Sequence, residues 1–248
     1  PINEGQFLIK NTYLSMDAGF RQWMNAGSDD NYLASMPLGE PVQSIIMGEV
    51  VESRHSDYPV GSVVVGRTAW EEYSVADGSD LMSIIEPDPE LALHEYLCSL
   101  GPSGTTAYFG LMDIGQPKAG DVFVINAAAG GIGAIAGQIA KAEGCVTVGI
   151  AGGATKCNWL RDTVGYDRVI DYKSAVPLAE QLQAVVPEGA DIVYDNVGGA
   201  MLGTLLGAGV PLINGLHVAR RSIGNQILVD AVSNSIDRVK EGKPLGAS

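Results

Sequence analysis

A glycine-rich turn between a predicted strand and a predicted helix constrains the fold of this chain more than any other feature. Residues 127–133 have the sequence AAAGGIG and follow the short apolar run at residues 121–126. Apolar residues then recur at three- and four-residue spacing, which predicts a helix with one buried face. In a dinucleotide-binding βαβ unit, such a turn brings backbone N–H groups and the helix dipole to a pyrophosphate. Gly130 and Gly133 keep two glycines of the G-x-G-x-x-G pattern, and Ala128 replaces the first.

The chain divides into two composition regimes that meet near residue 95. Residues 1–95 contain short β-type runs separated by turns, and they predict an all-β domain. In residues 96–229, predicted strands and helices alternate, which favours an α/β fold with a doubly wound parallel sheet. Residues 230–248 predict a final helix that heads back toward the first domain. The predicted strands of the second domain are 121–126, 145–150, 168–170, 191–194, 210–213 and 227–229.

The net charge of -14 limits the partners that the chain can attract. An acidic surface repels nucleic acid and anionic lipid, so neither is expected as a partner. No apolar run approaches the ~18 residues of a membrane span, so no membrane association is expected. Three cysteines without C-x-x-C spacing suit a reducing compartment, and the protein is expected to be cytoplasmic. Because the chain starts at Pro1, its true beginning is expected to lie upstream.

The residues after the second strand of the α/β region bear on the choice of nucleotide. An NAD site usually carries an acidic residue about 20 residues past the glycines, where it binds the ribose hydroxyls. Residues 150–156 (IAGGATK) contain no carboxylate, and small residues such as Gly152 leave room for a 2′-phosphate. Lys156 supplies a positive charge, so NADPH is predicted in preference to NADH. The alternative for Lys156 is a solvated lysine in the first turn of a helix.

A second polar segment follows the predicted strand at 191–194. Asn196 lies in the sequence DNVGG at 195–199, at the sheet edge where ligands of parallel sheets bind. Its side-chain amide can both donate and accept a hydrogen bond to ribose or nicotinamide. The alternative is an Asn that only initiates a turn before a helix.

Seven collinear segments resemble the zinc-independent branch of the medium-chain dehydrogenase/reductase superfamily, and in particular its NADPH-dependent alkene reductases, which include prostaglandin and curcumin reductases. The matching segments are TYLSMD (12–17), GEVVES (48–53), TTAYFGL (105–111), GQPK (115–118), GQIAK (137–141), GIAGG (149–153) and DNVGG (195–199). The resemblance implies a GroES-like substrate domain in the first part of the chain and a Rossmann domain in the second.

The resemblance also implies roles for individual residues. It places the pyrophosphate at Gly130, Gly131, Ile132 and Gly133, and the 2′-phosphate near Lys156 and Tyr172. It places the nicotinamide beside Thr105 and Thr106. For these two threonines, the alternative is that their hydroxyls cap a helix.

Two departures from the family pattern concern tyrosines. Gly19 stands where the family commonly has a tyrosine near the substrate. The family's tyrosine-containing segment is expected after Leu216, but His217 and unrelated residues follow. The strands that return to the first domain are also absent, so loops and termini of a longer protein are expected to be missing from this chain.

The inventory of metal-binding side chains argues against a zinc site. A catalytic zinc needs about three converging Cys, His or acidic ligands. The chain has three histidines and three scattered cysteines, so no metal is expected. Hydride transfer to the β-carbon of an enone remains feasible, and the developing enolate oxygen then needs a hydrogen-bond donor. Tyr32, which matches a second family tyrosine, is the candidate; the alternative is a tyrosine half-buried under a mobile loop.

The function implied by the resemblance is the NADPH-dependent reduction of the carbon–carbon double bond of α,β-unsaturated ketones and aldehydes. Two alternatives stay open: a quinone oxidoreductase of the same superfamily, and an NADPH-binding protein without turnover. The resemblance further implies a small-molecule substrate and a homodimer.

Overall fold

The structure, a computed structural model, describes residues 1–25, 35–79 and 82–207. The chain divides into two compact units, Pro1–Pro102 and a second unit that begins at Ser103. The predicted strands at 210–213 and 227–229 and the predicted helix at 230–248 lie outside the described residues. No helix in the described ranges is long and apolar enough to cross a membrane.

The first unit is built on an antiparallel sheet in the order β4-β1-β2-β3-β5. Its strands are β1 (Phe7–Leu14), β2 (Gln43–Ser53), β3 (Val63–Ala69), β4 (Tyr73–Ala76) and β5 (Ser83–Ile85). A short helix, α1 (Phe20–Trp23), and a 3-10 turn at Leu93–Tyr96 complete its regular structure within the described residues. Phe7 and Ile9, on alternate positions of β1, pack with Ile46 of β2 in one buried cluster. The predicted all-β character of this region is confirmed.

The second unit contains a parallel sheet in the order β8-β7-β6-β9. These strands are β6 (Val122–Ile125), β7 (Val146–Ala151), β8 (Arg168–Asp171) and β9 (Ile192–Tyr194). The helices are α2 (Pro102–Phe109), α3 (Gly131–Ala142), α4 (Ala154–Trp159), α5 (Leu178–Val185) and α6 (Gly199–Gly207). The predicted alternation of strands and helices is confirmed over this range.

Both faces of the parallel sheet are covered. Phe123 and Ile125 of β6 pack with Leu160 on one side, in a cluster that also contains residues of α3. Val124, on the other face of β6, packs with Leu182 of α5 and Leu205 of α6. Alternate residues of a strand point to opposite faces, so β6 is buried on both sides as in a doubly wound sheet. The predicted Rossmann-like architecture is therefore confirmed.

Two helices of this unit continue into π-helical turns that the apolar spacing does not predict. One turn, Gly110–Gly115, follows α2, and the other, Leu160–Val164, follows α4. The second ends at Gly165, whose φ of 87° suits a glycine best. These turns bring Leu111 and Leu160 into the core.

Candidate cofactor site

The glycine-rich turn forms the start of α3, directly after β6. The N–H of Gly130 donates to the carbonyl of Ala127 at 2.8 Å, and the N–H of Ala134 donates to the carbonyl of Gly130 at 2.9 Å. No side chain caps α3 at Gly130. The N–H groups of residues 131–133 therefore precede the first intrahelical hydrogen bond and have no acceptor within the helix. Together with the helix dipole, they form a site for an anion.

Gly133 is the residue at which helix and turn approach most closely. A Cβ atom added there would lie 2.5 Å from the carbonyl oxygen of Ala127 and 2.6 Å from the Cα of Ala128. Backbone atoms cannot retreat from such a contact, so only glycine fits. At Gly131, an added Cβ would lie 3.1 Å from Oγ of Ser103 in α2. The hydroxyl of Ser103 thus borders the candidate anion site. Ser103 was not predicted as a site residue, because no local pattern links it to the glycine-rich turn.

Tyr166 holds the start of α3 against the sheet. Its hydroxyl donates to the carbonyl of Gly133 at 2.6 Å, and its side chain is 4% exposed. Its ring covers Gly149 of β7, where an added Cβ would lie 3.0 Å from the ring. Burial raises the pKa of the Tyr166 phenol far above its ordinary value, so it remains a neutral donor. No local sequence pattern marks Tyr166, because its partner Gly133 lies 33 residues away in the chain.

Gly152 and Tyr172 come together after β7 and β8. A Cβ added at Gly152 would lie 2.8 Å from Oη of Tyr172, so the absence of a side chain lets the phenol close over this loop. Lys156 lies in the first turn of α4, exposed to solvent. It forms no ion pair with any residue that the structure describes. The structure thus places a solvent-exposed cation on the helix that follows the Gly152 loop.

Asp171, at the end of β8, contributes a carboxylate to this loop. Its Oδ1 accepts the N–H of Gly153 at 2.8 Å and the N–H of Lys173 at 2.9 Å. These two hydrogen bonds, with the nearby charge of Lys173, hold the pKa of the Asp171 carboxyl below its ordinary value. Residues 150–156 contain no carboxylate of their own, but the Asp171 carboxylate at the end of β8 accepts a hydrogen bond from Gly153 in this stretch.

Thr105 and Thr106 lie within α2 and are exposed. Because α2 begins at Pro102, neither threonine caps the helix, and the capping alternative is wrong. The carbonyl of Thr106 accepts the hydroxyl of Tyr194 at 2.9 Å, which ties this helix to the end of β9. Gly110 permits that contact, since the Tyr194 ring occupies the space that a side chain there would need.

Asn196 forms part of a network between the ends of β6 and β9. The side chain of Asn126, fully buried, accepts the N–H of Asn196 at 2.7 Å and donates to the Asp195 carboxylate. The side-chain nitrogen of Asn196 donates to the carbonyl of Asn126 at 3.1 Å. It is Asp195 that organises the turn, because its Oδ2 accepts the N–H of Gly198 at 2.8 Å. Among the described residues, the oxygen and the second N–H of the exposed Asn196 amide have no hydrogen-bond partner, so both could serve a ligand.

The remaining candidates fall elsewhere. Tyr32 lies outside the described residues, and Gly19 directly precedes α1. In the described ranges, no group of three or more His, Cys, Asp or Glu side chains could hold a metal ion.

Two family models match the two parts of the chain. One, described as the N-terminal domain of oxidoreductase, matches residues 1–84, and the other, described as zinc-binding dehydrogenase, matches residues 131–208. The reference to zinc describes that family model as a whole.

Curated relatives align with most of the chain. The NADPH-dependent curcumin reductase of Escherichia coli (strain K12) is 40% identical over 213 residues, which cover 85% of this chain and 59% of the relative. Prostaglandin reductase 1 of Oryctolagus cuniculus is 37% identical over 207 residues, which cover 83% of this chain and 56% of the relative. This chain therefore matches less than two thirds of either relative.

A solved structure is similar to this chain in both sequence and fold. CurA from Vibrio vulnificus, in complex with NADPH, has a TM-score of 0.75 and 37% identity, covering 83% of this chain and 60% of that chain. With matching models in both halves of the sequence and relatives at this level of identity, the chain belongs to the medium-chain dehydrogenase/reductase family.

Proposed function

We propose that the protein is an oxidoreductase that uses NADPH to reduce the carbon–carbon double bond of α,β-unsaturated ketones and aldehydes. The observation that carries this proposal is the set of N–H groups of residues 131–133 at the start of α3, together with the exposed cation of Lys156 on α4 and the lack of a carboxylate in residues 150–156. The names of the relatives support the reaction class, because two of them are a curcumin reductase and a prostaglandin reductase.

The described residues fit NADPH. The N–H groups of residues 131–133 have no acceptor in the helix. Because residue 133 is a glycine, helix and turn pack closely, and the pyrophosphate could approach the backbone N–H groups. We assign the 2′-phosphate to Lys156 and Tyr172 beside Gly152. Thr105 and Thr106 would face the nicotinamide, and Asn196 would contribute its remaining amide groups to the ribose or nicotinamide.

When bound, NADPH would supply the hydride that the β-carbon of the enone accepts. The protein must then stabilise the negative charge that develops on the carbonyl oxygen, and one or two hydrogen-bond donors suffice because an enolate spreads its charge over three atoms. We assign this donor role to Tyr32. Its hydroxyl would donate a hydrogen bond to the enolate oxygen, and a water molecule would then supply the proton that the α-carbon takes up, leaving hydroxide in the solvent.

We further propose a small-molecule substrate, a homodimeric assembly and a cytoplasmic location. All three cysteines of the chain are free thiols, as a reducing compartment maintains them.

Consumption of NADPH separates this function from the alternatives. The purified protein is incubated with NADPH and either a small enone, a simple quinone or no acceptor, and the loss of nicotinamide absorbance is followed. Faster loss with the enone than with the quinone supports the proposal. Consumption with the quinone alone favours a quinone oxidoreductase, and NADPH binding without consumption favours a binding protein that lacks turnover.

A further inference from the structure

The carboxylate of Asp171 lies against the loop that we assign to the adenosine end of NADPH. Its Oδ1 is 2.8 Å from the N–H of Gly153, the residue directly before α4. The next residue in the chain is Tyr172, whose ring covers Gly152. The charge of Asp171 also reaches α4, where it contributes to the raised pKa of the Cys157 thiol, after the larger effect of burial. Asp171 therefore contacts the residue directly before α4, the helix that carries Lys156.

The position of this carboxylate has a consequence for nucleotide choice. In NAD sites, an acidic side chain near the end of the second strand binds the ribose hydroxyls. Here β7 has no such residue, but β8 brings a carboxylate to the same loop from 18 residues away. Both N–H donors bind Oδ1, and Oδ2 accepts no hydrogen bond from any residue in the described ranges. Oδ2 therefore remains available for a ribose hydroxyl, and its charge opposes a 2′-phosphate.

We infer that Asp171 is a specificity-determining residue of the dinucleotide site, and that its carboxylate weakens the preference for NADPH over NADH. This inference rests on the proposed function. Lys156 and Lys173 oppose the charge of Asp171, so the site still favours NADPH. The net preference is the difference between the attraction of the lysines and the repulsion of the carboxylate.

The variant Asp171→Asn separates charge from structure. Asparagine keeps a side-chain oxygen that can accept both N–H groups, but it carries no charge. A residue that only holds the loop in place would tolerate this change without altering nucleotide choice. Asp121→Asn is the matched control, because Asp121 also accepts a backbone N–H, that of Lys118 at 2.9 Å. Asp121 directly precedes β6 and so lies at the amino ends of the parallel strands, whereas Asp171 lies at their carboxyl ends.

The test measures the dissociation constants of NADPH and NADH by nucleotide fluorescence for the wild type and both variants. In Asp171→Asn we expect the ratio of the NADH constant to the NADPH constant to rise about three- to tenfold, and the gain to shrink with added salt. In Asp121→Asn the ratio should stay at the wild-type value. An unchanged ratio in Asp171→Asn, with NADPH still bound by the wild type, overturns the inference alone. Failure of the wild type to bind NADPH overturns the proposed function and the inference together.

Discussion

Lys156 is the residue on which the proposed preference for NADPH depends most. It lies exposed at the third position of α4, and because the helical path continues through the π-helical turn Leu160–Val164, this position is nearer the N-terminal end, where the helix dipole does not favour a cation. A lysine at that position therefore gains little from its own helix, and an anionic ligand would compensate its charge. Its effect should be specific to the nucleotide that carries the 2′-phosphate.

The variant Lys156→Ala should weaken NADPH binding by about 1–3 kcal/mol, the range expected for a charge-assisted hydrogen bond, and leave NADH binding unchanged. Titration of both nucleotides by fluorescence measures the two affinities. Lys118→Ala serves as the control, because Lys118 precedes β6 at the other edge of the sheet. An equal loss for NADPH and NADH would remove Lys156 from the 2′-phosphate site.

Tyr32 is the residue assigned to the enolate oxygen. The variant Tyr32→Phe should lower turnover on the order of 10²-fold, as for the loss of one oxyanion donor, while NADPH affinity stays unchanged. Steady-state kinetics with a small enone and a nucleotide titration test the two parts separately. The control is Tyr73→Phe on β4, where the tyrosine is half exposed. Unaltered turnover in Tyr32→Phe would leave the reaction class standing but require another donor.

At the scale of elements, the β6–turn–α3 unit is the part of the fold that the sequence specifies most directly. Position 133 requires glycine because a Cβ atom there would clash with backbone atoms of Ala127 and Ala128, and no side-chain rearrangement can relieve that clash. The glycine-rich turn at residues 127–133 therefore tolerates no Cβ at position 133, whereas a helical glycine with free space around it tolerates one easily.

The variant Gly133→Ala should displace the start of α3, move the N–H groups of residues 131–133 away from the pyrophosphate, and weaken NADPH binding on the order of tenfold, which is about 1.4 kcal/mol. The matched control is Gly203→Ala in α6, where no atom of the described residues lies within 4 Å of the added Cβ. This control should keep NADPH affinity and gain stability by roughly 0.5–1 kcal/mol from helix propensity. Thermal unfolding measured beside the titration distinguishes a local change at Gly133 from global unfolding. Wild-type affinity in Gly133→Ala would contradict the proposed position of the pyrophosphate.

Elements with clear periodicity could be predicted from the sequence, and elements without it could not. The strands β6 to β9 and the helices α3 and α5 follow from short apolar runs and from apolar residues at helical spacing. Helix α2 has the sequence PSGTTAYF, in which glycine and threonine are weak helix formers and no apolar face stands out. Only its place in the fold, with the Tyr194 hydroxyl bonded to the carbonyl of Thr106, explains why it is helical.

The same limit applies to the candidate site. The glycine-rich turn is local in sequence, so its pattern can be recognised directly. Tyr166 contacts Gly133 from 33 residues away, Asp171 reaches Gly153 from 18 residues away, and Asn126 contacts Asn196 from 70 residues away. No spacing rule links such pairs, because they meet only when the strands align in the sheet.

At the scale of the whole molecule, the net charge of -14 sets the background for any anionic ligand. An acidic protein repels a dinucleotide phosphate at long range, so its affinity must come from local groups. The helix start at residues 131–133 and the cation at Lys156 are such groups in the described part of the second unit. We therefore expect this field to disfavour nucleic acid, and we expect the proposed nucleotide site to depend on these local groups.

The carbon atom that receives the hydride distinguishes reduction of the carbon–carbon double bond from reduction of the carbonyl group. The protein is incubated with a small enone and NADPH that carries deuterium in place of the transferred hydride at C4 of the nicotinamide, and the product is analysed by mass spectrometry and NMR. We predict the saturated ketone, with an intact carbonyl group and deuterium on the former β-carbon. The reason is that one or two hydrogen bonds can stabilise an enolate, whose negative charge is spread over three atoms, whereas the alkoxide formed by carbonyl reduction needs stronger stabilisation. An allylic alcohol with deuterium on the former carbonyl carbon as the main product would contradict the account.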